Sequence, residues 1–246
     1  MIDFKNDDIF YNELKNLLNK DNSLDYFCPN ENDLVNKTTK FIGIKSIVVT
    51  GYSPLVLDDI SAYDLFYNNL TKLPRNYCTY DLIKCVQKSV FDYFGYDKPN
   101  EIARLNTYRF NYEKDIHTSI SNFKNTGNSW CLERATLCHN FLKLLGLNSV
   151  LISSNIELNG NKQLHAFNAV EINGNKYLLD LLNTPSSPDK IPEPIFERLP
   201  KDINLFNDDN ILNLNENLQY NFVSRSGKLY HIEYLLSNEN CEVLKN

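Results

Sequence analysis

Apolar residues recur at steps of three and four in three stretches of the chain, and each stretch predicts a helix. Ile9, Phe10, Leu14, Leu17 and Leu18 set the first, over 9–19. Leu82, Val86 and Val90 share a stripe of the second, over 79–94, with Thr79 placed to cap it and Gly95 to stop it. In the third, Ala135, Cys138, Leu142 and Leu145 repeat at the same steps, and Gly146 closes the run. Asn128 or Ser129 is the natural cap, and either choice puts Cys131 in the first turn.

Elsewhere the period changes to that of strands. Residues 41–50 are apolar and β-branched and read as a buried strand ending at Gly51. Residues 148–156, 164–172 and 175–182 are strand-like and are separated by Asn159-Gly160 and Asn173-Gly174. Asn-Gly between such runs signals a tight hairpin, so an antiparallel meander is expected directly after the third helix. Another hairpin is expected within 221–236, around Ser226-Gly227. Residues 21–40 are polar and broken by Pro29, and read as loop. Five of the nine prolines fall in 185–200, which predicts extended loop, and 203–218 is Asn-rich without period. The stretch 185–218 is the candidate for a loop flanking or covering a site. No internal repeat is visible.

The 246 residues suffice for one large domain, or one domain with an appendage. With 31 acidic against 25 basic residues the formal charge is −6, which argues against nucleic acid and against an anionic membrane surface. No apolar run is long enough for a transmembrane helix. The start Met1-Ile2-Asp3-Phe4-Lys5 lacks the basic and apolar regions of a secretory signal, so the expected location is cytoplasmic, or that of an effector exported without a cleaved signal. The six cysteines are scattered and read as reduced thiols. Asparagine occurs 36 times, which reads as compositional bias and carries no chemistry.

Cys131 is the candidate for chemistry. A helix N-terminus presents free N–H groups and partial positive charge, a setting that favours an anion at sulfur and at an adjacent oxyanion. A thiolate needs a proton carrier, and His165 is the one of four histidines whose strand partner can be deduced. If Asn173-Gly174 forms a two-residue turn, Glu171 faces Lys176 and Ala169 faces Leu178. His165, Phe167 and Asp180 then share a face, with Asp180 diagonal to His165 at roughly 7–8 Å between backbones. An imidazole–carboxylate bond can span that gap and fix the ring. A bulge or a three-residue loop would turn Asp180 to the other face.

Other groups read more plainly. Cys138 is expected to be a small buried apolar residue. Glu133 and Arg134 read as an exposed helix face, and His139 as facing solvent. Trp130 is offered as a wall of a substrate groove. Asn106, Tyr108 and Asn111 are candidates for a second oxyanion donor. There is no Cys-x-x-Cys, zinc-type spacing or acidic calcium loop, so neither metal nor cofactor is expected.

The run Gly127-Asn128-Ser129-Trp130-Cys131-Leu132-Glu133-Arg134-Ala135, followed by Phe141-Leu142-Lys143-Leu144-Leu145-Gly146, resembles the nucleophile helix of transglutaminase-like cysteine enzymes. His165-Ala166-Phe167 and the segment to Leu178-Leu179-Asp180 resemble their His and Asp strands, although Phe167 stands where many members have Trp. The resemblance covers roughly 115–185. It implies an α+β fold with a papain-like core, a nucleophile helix against an antiparallel meander, and a mixed N-terminal elaboration. On that basis 1–75 is the extension and 76–246 the catalytic core with a C-terminal loop and hairpin. The implied activity is amide chemistry on a peptide or protein through Cys131, His165 and Asp180, as a thiol protease or amidase or as acyl transfer. Trp130-Cys131-Leu132 also resembles arylamine N-acetyltransferases, though Gly127-Asn128-Ser129 departs from their Arg-Gly-Gly. A binding module on the same core, without turnover, is the competing class.

Overall fold

The computed structural model describes residues 41–44, 55–57, 59, 61–74, 77–97, 100–114, 118–145, 147–158, 160–172, 174–182, 187–200, 220–225, 228–235 and 241–244. The helix expected over 9–19 and the loops expected over 21–40 and 203–218 lie outside these residues. The helices are α1 (Ser61–Leu70), α2 (Thr79–Phe94), α3 (Glu101–Glu113) and α4 (Cys131–Leu144), with a 3-10 turn at Ile120–Phe123. The strands are β1 (Phe41–Ile44), β2 (Leu55–Val56), β3 (Thr118–Ser119), β4 (Asn148–Leu158), β5 (Asn161–Ile172), β6 (Asn175–Asp180), β7 (Ile195–Arg198), β8 (Tyr220–Val223), β9 (Leu229–Leu235) and β10 (Cys241–Leu244).

The main sheet has the order β7-β6-β5-β4-β9-β8, with every neighbouring pair antiparallel. Two links of two residues connect β4 to β5 and β5 to β6, since Leu158 pairs with Asn161 and Ile172 with Asn175. Gly160 and Gly174 take φ of +79° and +73° in these links, which a residue without Cβ adopts at little cost. A smaller sheet has the order β10-β1-β2-β3.

Helix α4 is central. It packs on β4 and β5 on one side and on α2 on another. Ala135, Cys138, Phe141 and Leu142 are buried there, and Phe66 of α1 stacks on Phe141 with ring centroids 4.2 Å apart. Each such buried aromatic contributes about 1.5–3 kcal/mol relative to exposure. Leu55, Phe66 and Leu70 join the same core as α2 and α4, so the expected extension 1–75 shares that core from Leu55 onward.

Several expectations need correction. Cys78, not Thr79, caps α2, its N–H donating to Asp81 Oδ2 at 2.8 Å. The α4 cap is Trp130 rather than Asn128 or Ser129, because Glu133 reaches back to accept its N–H at 2.7 Å. The proline-rich stretch 185–200 is not all loop: 195–198 form β7, an edge strand flanked by Pro194 and Pro200, where a missing N–H is tolerated. Its neighbours lie along α2, where Pro192 O accepts from Gln87 and Glu193 pairs with Lys84. Glu133, Arg134 and His139 are 0%, 2% and 1% exposed, not solvent-facing. A helix enclosed on several sides leaves little outer face, so buried polar side chains find partners within the fold. His139 Nδ1 lies 2.9 Å from Ser149 Oγ, and Asn140 donates to Tyr63.

Among the described residues no helix is long and apolar enough to cross a membrane, and no cluster of three His, Cys, Asp or Glu could hold a metal ion.

Candidate active site

Cys131 is the first residue of α4 and is half-buried. The chain enters α4 through Gly127 at φ +66°, whose N–H donates to Phe94 O at 2.9 Å and so ties the approach to the end of α2. The helix start is then fixed by Glu133. That carboxylate accepts both oxygens' worth of Arg104 Nε at 2.9 Å, Tyr108 OH at 2.5 Å and the Trp130 N–H. Burial opposes the charge of Glu133, but Arg104, Tyr108 and the Trp130 N–H together outweigh it and hold the carboxyl below its ordinary range.

His165 and Asp180 stand on neighbouring strands in the register expected from the turn, with Glu171 opposite Lys176 and Ala169 opposite Leu178. His165 Nε2 lies 2.9 Å from Asp180 Oδ2. Cys131 stands close enough to His165 for its sulfur to favour the protonated imidazole, and with Nε2 bonded to Asp180 the ring nitrogen left for it is Nδ1. His165 is 6% exposed and Asp180 2%. Burial works against a charged imidazole, but Asp180 and Cys131 together outweigh it and push His165 up to about 9. For Asp180, burial is outweighed by His165 and Lys228, which hold its carboxyl well below the usual range.

Asp180 is enclosed by more than His165. Its Oδ2 also accepts from Lys228 Nζ at 2.6 Å and Tyr230 OH at 2.8 Å, and its Oδ1 accepts the Leu182 N–H at 2.9 Å. Tyr230 is the edge-on neighbour of Phe167, which in turn stacks near His165. Sequence reasoning missed Lys228 and Tyr230. They come from the far hairpin, where β9 pairs with β4 and Tyr230 sits opposite Ile156. Alternation along 229–235 would have singled out Tyr230 only if that pairing were known.

A small cavity of about 10 Å³, room for roughly one water, is walled by Cys131, Arg134, Asn168 and Leu182. Arg134 donates to Ser129 Oγ at 3.1 Å and lies 4.4 Å over the Phe91 ring. Burial pulls its pKa down to about 10, so it stays charged at neutral pH. Both Arg104 and Arg134 are close enough for their charges to couple to Cys131. Neither was singled out in the sequence as part of the site.

The candidate oxyanion donors have the following partners. Tyr108 gives its hydroxyl to Glu133, Asn111 donates to Thr118 and Asn122, and Asn106 is exposed on α3. Trp130 is half-buried at the cap position beside Cys131.

The arrangement is a thiol at a helix start, an imidazole near enough to interact with it, and a buried carboxylate bonded to the imidazole's Nε2. Such a set can pass a proton between sulfur and imidazole with the ring held in one orientation. No protein-family model, no curated protein and no solved structure matches the chain.

Proposed function

We propose that the protein is a cysteine-dependent enzyme of amide chemistry, with Cys131 as nucleophile, His165 as proton carrier and Asp180 as its orienting carboxylate. One observation carries the reading: a single buried imidazole is bonded through Nε2 to Asp180 and lies close enough to Cys131, at the start of α4, for the sulfur to act on it. In the reaction, Cys131 Sγ bonds to the amide carbon while His165 Nδ1 gives its proton to the departing amine. The thioester then passes to water, or to an amine. Hydrolysis is favoured because nothing in the chain marks an amine-acceptor site. The resemblance to transglutaminase-like enzymes, with their papain-like core, supports the same assignment, and the substrate class is a peptide or protein amide.

Alkylation at neutral pH with iodoacetamide, read site by site by mass spectrometry, tests this. Cys131 should label faster than the exposed Cys78, and His165→Ala should slow it by at least about tenfold. Labelling of Cys131 no faster than Cys78, and indifferent to His165→Ala, would point to a binding module. Acetylation of Cys131 by acetyl-CoA without amide turnover would redirect the reading to acetyl transfer.

A further inference from the structure

The carboxylate of Asp180 is 2% exposed, and it has two positive partners rather than one. Three donors converge on its Oδ2: His165 Nε2 at 2.9 Å, Lys228 Nζ at 2.6 Å and Tyr230 OH at 2.8 Å. The Lys228 side chain is itself 11% exposed, so it is not a solvent-facing lysine that happens to lie near. Its backbone is clamped in the hairpin. Ser224 N–H donates to Lys228 O at 2.9 Å, and Lys228 N–H donates to Ser224 Oγ at 3.1 Å. The Arg225 N–H donates to Glu197, which ties the same turn to β7.

A buried carboxylate is stable only with a positive partner. His165 can be that partner only while it is protonated. With His165 alone, releasing its proton would leave Asp180 charged and uncompensated, so the imidazole would be held as a cation. Lys228 removes that constraint, because its Nζ lies 2.6 Å from the same Asp180 oxygen and does not depend on the imidazole's proton. Asp180 from β6 and Cys131 from α4 act on His165 directly, and Lys228 and Tyr230 from the hairpin around β9 bond the Asp180 oxygen that faces it.

Resting on the cysteine chemistry proposed above, we propose that Lys228 is a positioning residue that gives Asp180 a permanent counter-charge, so that His165 can exist neutral and act as a base. The consequence falls on the second half of the reaction. In the acyl-enzyme the sulfur is an uncharged thioester. Water attacks its carbonyl carbon, the water's proton goes to His165 Nδ1, and the C–Sγ bond breaks with Sγ leaving as thiolate. His165 must be neutral to take that proton. In the first half it must be protonated, and there the Cys131 thiolate supports its charge. The C-terminal hairpin, outside the stretch that resembles a known family, thereby sets the second half.

The test is an NMR titration of the His165 ring in the full-length protein, its signal assigned by its loss in His165→Gln. Lys228→Gln keeps a donor for Oδ2 but removes the charge, and Lys228→Arg keeps both. Lys228→Gln should raise the His165 pKa by about one unit or more, since it removes a like charge at close range. Lys228→Arg should restore the wild-type value. Tyr230→Phe, which removes a bond without a charge, should shift it less. Acylation with p-nitrophenyl acetate gives a second readout by intact mass. Lys228→Gln should hold acetyl-Cys131 at least about tenfold longer at neutral pH, with release recovering as pH rises. A His165 titration unmoved by Lys228→Gln, in a protein that keeps its fold, overturns the assignment. A raised His165 pKa supports it even if Cys131 never acylates, an outcome that overturns only the cysteine chemistry.

Discussion

Glu133 holds Arg104 with both carboxylate oxygens, and Glu133 has no exposed surface at all. Two residues before it, Cys131 begins the same helix. The pair therefore anchors the start of α4 to α3, and the Trp130 N–H is the third point of that anchor. Removing one member of a buried pair leaves an uncompensated charge. Arg104→Met should cost about 3–5 kcal/mol in urea unfolding. The double variant Arg104→Met, Glu133→Met should recover most of that loss, because no charge is then stranded. Equal losses in the single and double variants would show that the pair's packing, and not its charge, is what matters.

Two buried histidines should give the stability profile two opposed limbs. Burial holds His139 well below its ordinary value of 6.5, so it is neutral in the fold. Unfolding lets it take up a proton below about 6.5, and stability should fall as pH drops through that region. His165 is the reverse case, raised from 6.5 to about 9. Its contribution is complete below about 6.5 and is lost as pH rises through about 9. Thermal unfolding followed from about pH 5 to about pH 10 checks both limbs. His139→Leu should flatten the acid limb alone, and His165→Gln the alkaline limb alone. If either variant leaves its limb in place, that limb has another source.

The reach of the sequence follows from which contacts are local. Asn159-Gly160 and Asn173-Gly174 fix two hairpins by turn geometry, and the β5–β6 register then follows residue by residue. That is why the shared face of His165 and Asp180 is legible in the sequence. Lys228 and Tyr230 could not be placed, because β9 meets β4 across some seventy residues and no local signal sets that pairing. The helical pattern misplaces Glu133, Arg134 and His139 for a different reason. A helical wheel assumes one wet face, and α4 has the sheet on one side and α2 on another. Polar side chains there are buried in bonds that only the tertiary fold supplies. The proline-rich stretch hid β7 because proline penalises central strands far more than edges.

Gly127 is a point where the backbone leaves little choice. Its φ is +66°, and a Cβ there would come within 2.7 Å of Asp97 Cβ. Gly127→Ala therefore incurs both left-handed strain and a clash, together about 2–4 kcal/mol. The residue lies four positions before Cys131, so the damage should also reach the thiol. Urea unfolding gives the first quantity. The iodoacetamide rate of Cys131, measured in the folded fraction, gives the second and should fall. An alanine variant as stable as wild type would mean that Asp97 moves aside freely.

Gln87 secures the far end of the site. Its side-chain amide is 1% exposed and donates to Leu181 O at 3.2 Å and to Pro192 O at 2.9 Å. The first bond pins the chain just after Asp180, where Leu182 sits at φ +65° and gives its N–H to Asp180 Oδ1. Gln87→Leu should strand two carbonyls and cost about 1–3 kcal/mol. The local effect is more telling than the global one. With the anchor gone, the strained turn at Leu182 can relax, and the Asp180 carboxylate loses a fixed donor. Amide hydrogen exchange at Leu182 should accelerate well beyond the change at core amides such as Val170. Acceleration shared evenly by both amides would make Gln87 a general packing residue and not an anchor for the Asp180 end.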